Sequence, residues 1–353
     1  MAIGFSGSNG GITTNYYEFY YLNLRDTDYY RSNKVPMEVS YFINNTCNLK
    51  CRHCYVGYRH VGDALSVGEW KTVFDELIES GARTFGNVGK EPLMNWHETR
   101  ELLLYFKAKR EIIPDLRFGF VTNGVLLSDT IISELENIMP NYIDISLDGN
   151  RQAHNVIRGD GSYEALMDNL SLISKSTILS KVFISFTLNK VNANTLAEVI
   201  ETIYKLGIKN ILISPYVTLD YYDGLFISID EVIQIIQQFL EEKLIDFEKY
   251  YGLAIYFKND FLASKNLMEE MVKRGIIKKN ELLSDEYKVI FNKYSFNGST
   301  VYFNYLPWNT SFVHEVRISH DGYVSNCIAM LYANYKERTI GNVRQEHIST
   351  LLR

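Results

Sequence analysis

The sequence predicts an α/β fold built on a parallel sheet, followed by a part of mixed α+β character. Two observations carry this. From residue 37 to residue 216, short runs rich in β-branched and aromatic residues alternate with amphipathic segments of helical length. Strands separated by such segments form right-handed βαβ units. After Tyr216 the rhythm stops, and a helical run gives way to β-rich sequence. Six parallel strands are expected, beginning at residues 37, 83, 116, 141, 181 and 208.

Residues 1–12 are rich in Gly and Ser, and residues 15–35 read as an aromatic strand or hairpin. The run MEVSYFIN is the first strand of the repeat. SVGEWKTVFDELIESGA is an amphipathic helix with Trp70, Val73, Phe74 and Leu77 on one face and Gly81 at its end. RTFGNVG, LRFGFVTNG, NYIDISLDG, KVFISFTLN and IKNILISPY are the later strands. HETRELLLYFKAKR, SDTIISELENIM, GSYEALMDNLSLISKS and NTLAEVIETIYKLG are the helices between them. Beyond, SIDEVIQIIQQFLEEKLIDFEKYYG reads as one long helix and residues 261–295 as helical and charged. Residues 296–335 read as β-rich, with Asp321-Gly322 as a hairpin turn. The expected division is 1–36, an N-terminal extension; 37–220, the βα repeat; and 221–353, a helical and β-hairpin extension.

Composition bounds the function. An apolar content of 46% supplies a sizeable core, and a net charge of −6 gives no reason to expect a nucleic-acid partner. Apolar runs are short and interrupted by charge, so no membrane span is expected. Residues 1–15 lack the basic start and apolar core of a secretory signal. The expected location is cytoplasmic.

Chemistry concentrates in CNLKCRHCY. Cys47, Cys51 and Cys54 lie in this one loop, and the single other cysteine is Cys327. A structural zinc site takes four ligands, usually as two knuckles. A disulfide framework takes an even number in a small secreted chain. Three incidental thiols would be odd where cysteine is this scarce. Iron–sulfur clusters are held by thiolates at such short spacings. Three cysteines hold three irons of a [4Fe–4S] cube and leave the fourth without a protein ligand.

The spacing Cys-x-x-x-Cys-x-x-Cys resembles the signature of the radical S-adenosylmethionine (SAM) superfamily. Downstream motifs fit the same resemblance in the same order. It implies a partial (β/α)6 TIM-type barrel with functional groups at the C-terminal ends of the strands. It also implies one [4Fe–4S] cluster whose open iron binds SAM, and reductive cleavage of SAM to a 5′-deoxyadenosyl radical. Gly89-Lys90-Glu91-Pro92 is similar to the family's Gly-Gly-Glu-Pro motif, which receives the SAM amino group, with Lys90 in place of the second glycine. Thr122 and Asn123 line the cavity beside SAM in this reading. Ser146 and Asp148 face the sugar or the substrate, and Arg158 pairs with the SAM carboxylate through its fork. Thr187 and Asn189 suit the ribose or carboxylate, and Ser214 and Tyr216 reach the adenine or the substrate. His53 and Tyr55 flank Cys54, where the family packs an aromatic residue near the adenine. His154 reads as a structural histidine first and a catalytic one second.

HDGYVSNC and TIGNVRQEHISTLLR resemble the start and end of the family's SPASM or twitch extension, which carries auxiliary clusters on several cysteines. Here Cys327 stands alone, so a SPASM-like α+β extension without auxiliary clusters is expected. Cys327 is then either a small buried apolar residue or, as the resemblance to peptide epimerases implies, a hydrogen-atom donor. The extension implies a ribosomally made peptide as substrate, for epimerisation or cross-linking. A small molecule such as an aminosugar, or a binding protein that has lost catalysis, are the alternatives. Implied partners are an electron donor such as a flavodoxin or ferredoxin, and a separate peptide-recognition protein. Residues 1–36 are expected to be too few for a leader-binding winged-helix domain.

Overall fold

The computed structural model describes residues 36, 38–54, 62–216, 223–239, 254–257, 270, 272–275, 290–296, 299–305, 315–325 and 339–352. Along this chain run β1 (Glu38–Tyr41), α1 (Val67–Glu79), β2 (Thr84–Asn87), α2 (Trp96–Ile112) and β3 (Arg117–Thr122). Then follow α3 (Asp129–Ile138), β4 (Tyr142–Ser146), α4 (Arg151–Arg158), α5 (Ser162–Ile173), β5 (Val182–Leu188), α6 (Leu196–Lys205) and β6 (Asn210–Pro215). The remainder holds α7 (Ile229–Gln238), β7 (Ala254–Phe257), β8 (Ile290–Phe296), β9 (Ser299–Tyr305), β10 (Glu315–Ile318), β11 (Tyr323–Ser325), β12 (Gly341–Asn342) and α8 (Ile348–Leu351).

The twelve strands among the described residues join one sheet in the order β12-β11-β10-β1-β2-β3-β4-β5-β6-β7-β9-β8. From β1 to β6 every neighbour is parallel, which gives the expected partial barrel, and the sheet is not closed. The later strands extend it at both edges. β10 pairs parallel with β1, and β7 pairs parallel with β6. Only β8–β9, β10–β11 and β11–β12 are antiparallel among the described residues.

Strands β1 to β6 bury one face under helices. Phe85 packs edge-on against Phe74 of α1 and beside Phe106 of α2, with centroids 5.5 and 4.9 Å away. Tyr41, Trp70 and Phe118 complete this aromatic layer, all fully buried. Burying one such ring is worth about 1.5–3 kcal/mol. Alternation puts Ser40, Gly86, Gly119, Tyr142, Asp144 and Ser185 on the opposite, inner face. There Tyr142 lies across the two glycines, where a Cβ would stand 2.4 Å from its atoms. Helix α1 starts at a capping box made by Ser66 and Glu69, and α7 at another made by Ser228 and Glu231.

Two readings change. β8 forms a strand over residues taken from sequence as the end of a helical run, because it pairs with β9 along its whole length. The run after Asp148 forms α4, which its few apolar residues did not announce. Asp321-Gly322 does turn the β10–β11 hairpin, with Gly322 at φ +90°. The aromatic N-terminal segment, Tyr55, Cys327 and most of the long helical run after Gln238 lie outside the described residues.

Candidate active site

The cysteine loop leaves the C-terminal end of β1 and is tied down on three sides. Glu91 N–H donates to Thr46 O at 3.0 Å, and Arg52 N–H donates to Ile157 O at 2.8 Å. Beyond the cysteines, Leu65 N–H donates to His320 O at 2.7 Å. Arg344 donates to the Asp63 and Ala64 carbonyls at 2.9 and 3.0 Å and pairs with Glu69. The hairpin of the last third thus anchors the residues that follow the loop.

Cys47, Cys51 and Cys54 are all free thiols. Cys47 and Cys51 are half-buried and Cys54 is exposed. Burial pushes the Cys51 thiol up to about 11, with Arg158 pulling the other way and the two neighbouring cysteines reinforcing the rise. Burial also raises Cys47, against the Leu49 N–H that donates to its sulfur at 3.4 Å. Among the described residues no three His, Cys, Asp or Glu groups converge as a single metal ion requires. A cube takes its ligands on separate irons, so its thiolates need not meet at a point. Three thiols on one loop, each half-buried one with a nitrogen donor near its sulfur, fit a [4Fe–4S] cluster.

The loop after β2 curves over the same end of the sheet. Gly89 has φ +78° and Lys90 φ +51°, so the lysine takes the left-handed conformation that a second glycine would serve. That conformation costs a non-glycine residue about 1–2 kcal/mol. Glu91 is fully buried. Its carboxylate accepts from Thr122 Oγ1 at 2.7 Å, Asn123 N–H at 2.8 Å and Leu93 N–H at 3.1 Å. Burial raises its pKa against those three donors. Glu91 therefore bolts the end of β3 to the loop, and Thr122 is committed to it. Asn123 Nδ2 turns instead to the cysteine loop, donating to Asn48 Oδ1 at 2.7 Å with Cys47 Sγ 3.9 Å away.

β4 delivers Ser146, buried, and then Asp148, fully buried. Asp148 Oδ1 accepts from Thr187 N–H at 2.7 Å and Oδ2 from Arg158 Nε at 2.6 Å. Its own N–H donates to His154 Nδ1 at 3.1 Å. Burial would raise this carboxyl, but Arg158, His53 and the Thr187 N–H outweigh it and hold it below the usual range. His53 Nε2 lies 3.2 Å from Asp148 Oδ2, and burial pushes that imidazole down to about 4. Arg158 was expected on a carboxylate, and its Nε edge is on one already. Any further anion must be met through its Nη groups, which point toward Cys51 and His53.

β5 ends with Thr187 half-buried and Asn189 fully buried. Asn189 folds back on its own turn, donating to Thr187 O at 2.8 Å and accepting from Val191 N–H at 3.0 Å. Ser214 is half-buried at the end of β6, and Tyr216 donates its hydroxyl to Asp223 at 2.7 Å. His53 and Tyr216 approach edge to face, centroids 6.4 Å apart. Asn192 is a site residue the sequence reading passed over. Fully buried, its amide donates to Asp148 O at 3.2 Å and Thr187 O at 2.9 Å and accepts from Asn189 N–H at 2.8 Å. The repeated asparagine in Asn189-Lys190-Val191-Asn192 was its one signal.

The chain is 29% identical over 175 residues to the Fe-coproporphyrin III synthase of Methanosarcina barkeri, covering 49% of this chain and 42% of that protein. It is 27% identical over 155 residues to the antilisterial bacteriocin subtilosin biosynthesis protein AlbA of Bacillus subtilis, covering 43% and 33%. The chain thus spans less than half the length of either relative. Its fold is shared with Streptococcus suis SuiB in complex with the precursor peptide SuiA, at a TM-score of 0.67 and 14% identity, over 100% of this chain and 73% of that one. No helix among the described residues is long and apolar enough to cross a membrane. Residues 41–203, just under half of the chain, match the family model of the radical SAM superfamily, a class of enzymes that use a [4Fe–4S] cluster and SAM.

Proposed function

We propose that this protein is a radical SAM maturase of a ribosomally made peptide. The observation that carries the reading is the convergence of the three free cysteines, the Gly89-Lys90 turn and the Asp148–Arg158 pair on one end of the barrel. In this reading Cys47, Cys51 and Cys54 hold the cluster. The 89–92 turn, Asn123, Ser146, Arg158 and Thr187 surround SAM. When bound, cluster and SAM supply one electron and a carbon radical that removes a hydrogen atom from an unreactive carbon. The chain's own residues orient both molecules and exclude water.

A peptide substrate draws support from the relation to a bacteriocin biosynthesis protein and from the fold shared with a peptide-bound enzyme. A tetrapyrrole is the second reading, favoured by the 29% identity to an Fe-coproporphyrin III synthase. In the peptide reading, residues 221–353 form the substrate-side extension, a flavodoxin or ferredoxin in the cytoplasm delivers the electron, and Cys327 quenches the substrate radical. Anaerobic incubation with dithionite and SAM tests the chemistry. We expect 5′-deoxyadenosine from the wild type and none from Cys51→Ala; equal amounts from both would sink the assignment. Adding candidate precursor peptides, or an iron tetrapyrrole from which Fe-coproporphyrin III would be made, then separates the substrates by which one stimulates turnover. Epimerised product at full yield from Cys327→Ala would remove that thiol's role.

A further inference from the structure

Arg158 sits between two partners of opposite kind. Its Nε donates to the Asp148 carboxylate at 2.6 Å, and its Nη1 points at Cys51 Sγ from 3.7 Å. Both side chains of the ion pair are nearly or wholly buried, at 9% and 0% exposure. Asp148 cannot swing. Both its carboxylate oxygens, its N–H and its carbonyl are engaged, by Thr187, Arg158, His154 and Asn192. The helix that carries Arg158 is also fixed to the cysteine loop, through the Arg52 N–H to Ile157 O bond at 2.8 Å. The guanidinium is therefore aimed, by a carboxylate that is itself immobile, at the sulfur of one cysteine of the triad.

A thiolate bound to iron gains electron density when its cluster is reduced. A positive N–H donor beside that sulfur stabilises the reduced state more than the oxidised one, and burial strengthens the effect. Hydrogen bonds to cluster sulfurs and local charge are among the levers that set such potentials. We infer that Arg158 is a positioning residue for the cluster that raises its reduction potential through the Cys51 corner, and that Asp148 aims it. This rests on the reading of the triad as cluster ligands, and the two are read out separately, the ligands by iron content and absorbance, the arginine by potential.

The experiment is anaerobic reconstitution of the full chain, followed by potentiometric titration without SAM, monitored by electron paramagnetic resonance. Arg158→Gln keeps a donor and loses the charge; it is expected to load iron like the wild type and to show a more negative midpoint. Arg158→Lys keeps the charge without the fork and is expected to fall between the two. A wild-type midpoint in both variants at full iron loading overturns the inference. If neither loads iron, Asp148→Glu decides, since it keeps both charges and only displaces the anchor that aims the guanidinium. A midpoint below the wild type, or a signal broadened by an unaimed arginine, supports the inference. An unchanged midpoint and line shape overturns it.

Discussion

Gly89 lies flat against the ring of Phe42, so close that a Cβ at this position would stand 1.8 Å from Phe42 Cε1. Phe42 is itself fully buried at the start of the cysteine loop, so the ring has no room to retreat. The turn that faces SAM in the proposed site and the loop that bears the cysteines are therefore packed on one another through a missing side chain. Gly89→Ala is expected to lose about 3 kcal/mol, from a left-handed φ of +78° together with overpacking. Chemical denaturation measures it. A loss under about 1 kcal/mol would mean that the ring yields and the contact is soft. Combining it with Phe42→Leu should shrink the penalty, because the two changes share one contact.

Lys90 holds the second left-handed position with a side chain present, at φ +51°. Lys90→Gly removes the steric cost while loosening the unfolded chain, and the balance favours the folded state by about 0.5–1 kcal/mol. The same protein should bind SAM at least as tightly as the wild type, measured by equilibrium dialysis after cluster loading. Lower stability would show that the lysine side chain contributes more than its backbone conformation costs.

Asn192 bridges three backbone groups inside the site, and alanine would leave them unpaired in a buried place. Asn192→Ala is expected to lose about 2–4 kcal/mol and to weaken SAM binding, because Asp148 and Thr187 both hang on it. Asn192→Asp, which keeps the acceptor for Asn189 N–H and loses the donors, should fall at least as far. If denaturation midpoints stay within experimental scatter of the wild type, water replaces the amide and the bridge is dispensable.

Much of this architecture could be read from the chain. The six strands begin at residues 38, 84, 117, 142, 182 and 210, each within two residues of its expected start. A buried parallel strand writes its apolar run locally, and the helix between writes its own period. The pairing of β1 with β10 is different. It joins Ser40 to Arg317, and no local signal announces a partner so far along the chain. The site divides the same way. Cysteine spacing is a local pattern, so the triad was legible. That the carboxylate of Glu91 is filled by Thr122, Asn123 and Leu93, and that Arg158 is spoken for by Asp148, depends on strand ends meeting in space. Motif residues named the neighbourhood; only the fold distinguishes those that face outward to a ligand from those that hold their neighbours still.

His154 makes the site sensitive to acid. Its Nδ1 accepts the Asp148 N–H, so the ring is held neutral with its proton on Nε2, and it is almost fully buried. Burial first, then Arg158 beside it, pushes the imidazole down to about 3. His53 is displaced in the same direction, while Asp148 and Glu164 pull His154 the opposite way and lose to burial. The unfolded chain takes up a proton near pH 6.5 that the folded chain refuses until about pH 3. Over that window the unfolded state binds more protons, so stability is full above pH 6.5 and falls as the pH drops through it. The slope is at most about 1.4 kcal/mol per pH unit for each such histidine. His154→Asn keeps an acceptor for the Asp148 N–H without a titrating ring. We expect the wild type to lose stability between pH 7 and pH 5.5, and the asparagine variant to lose measurably less. Parallel pH profiles for the two proteins would mean that His154 takes up its proton in the folded state as readily as in the unfolded one, through an opening of the Asp148 turn.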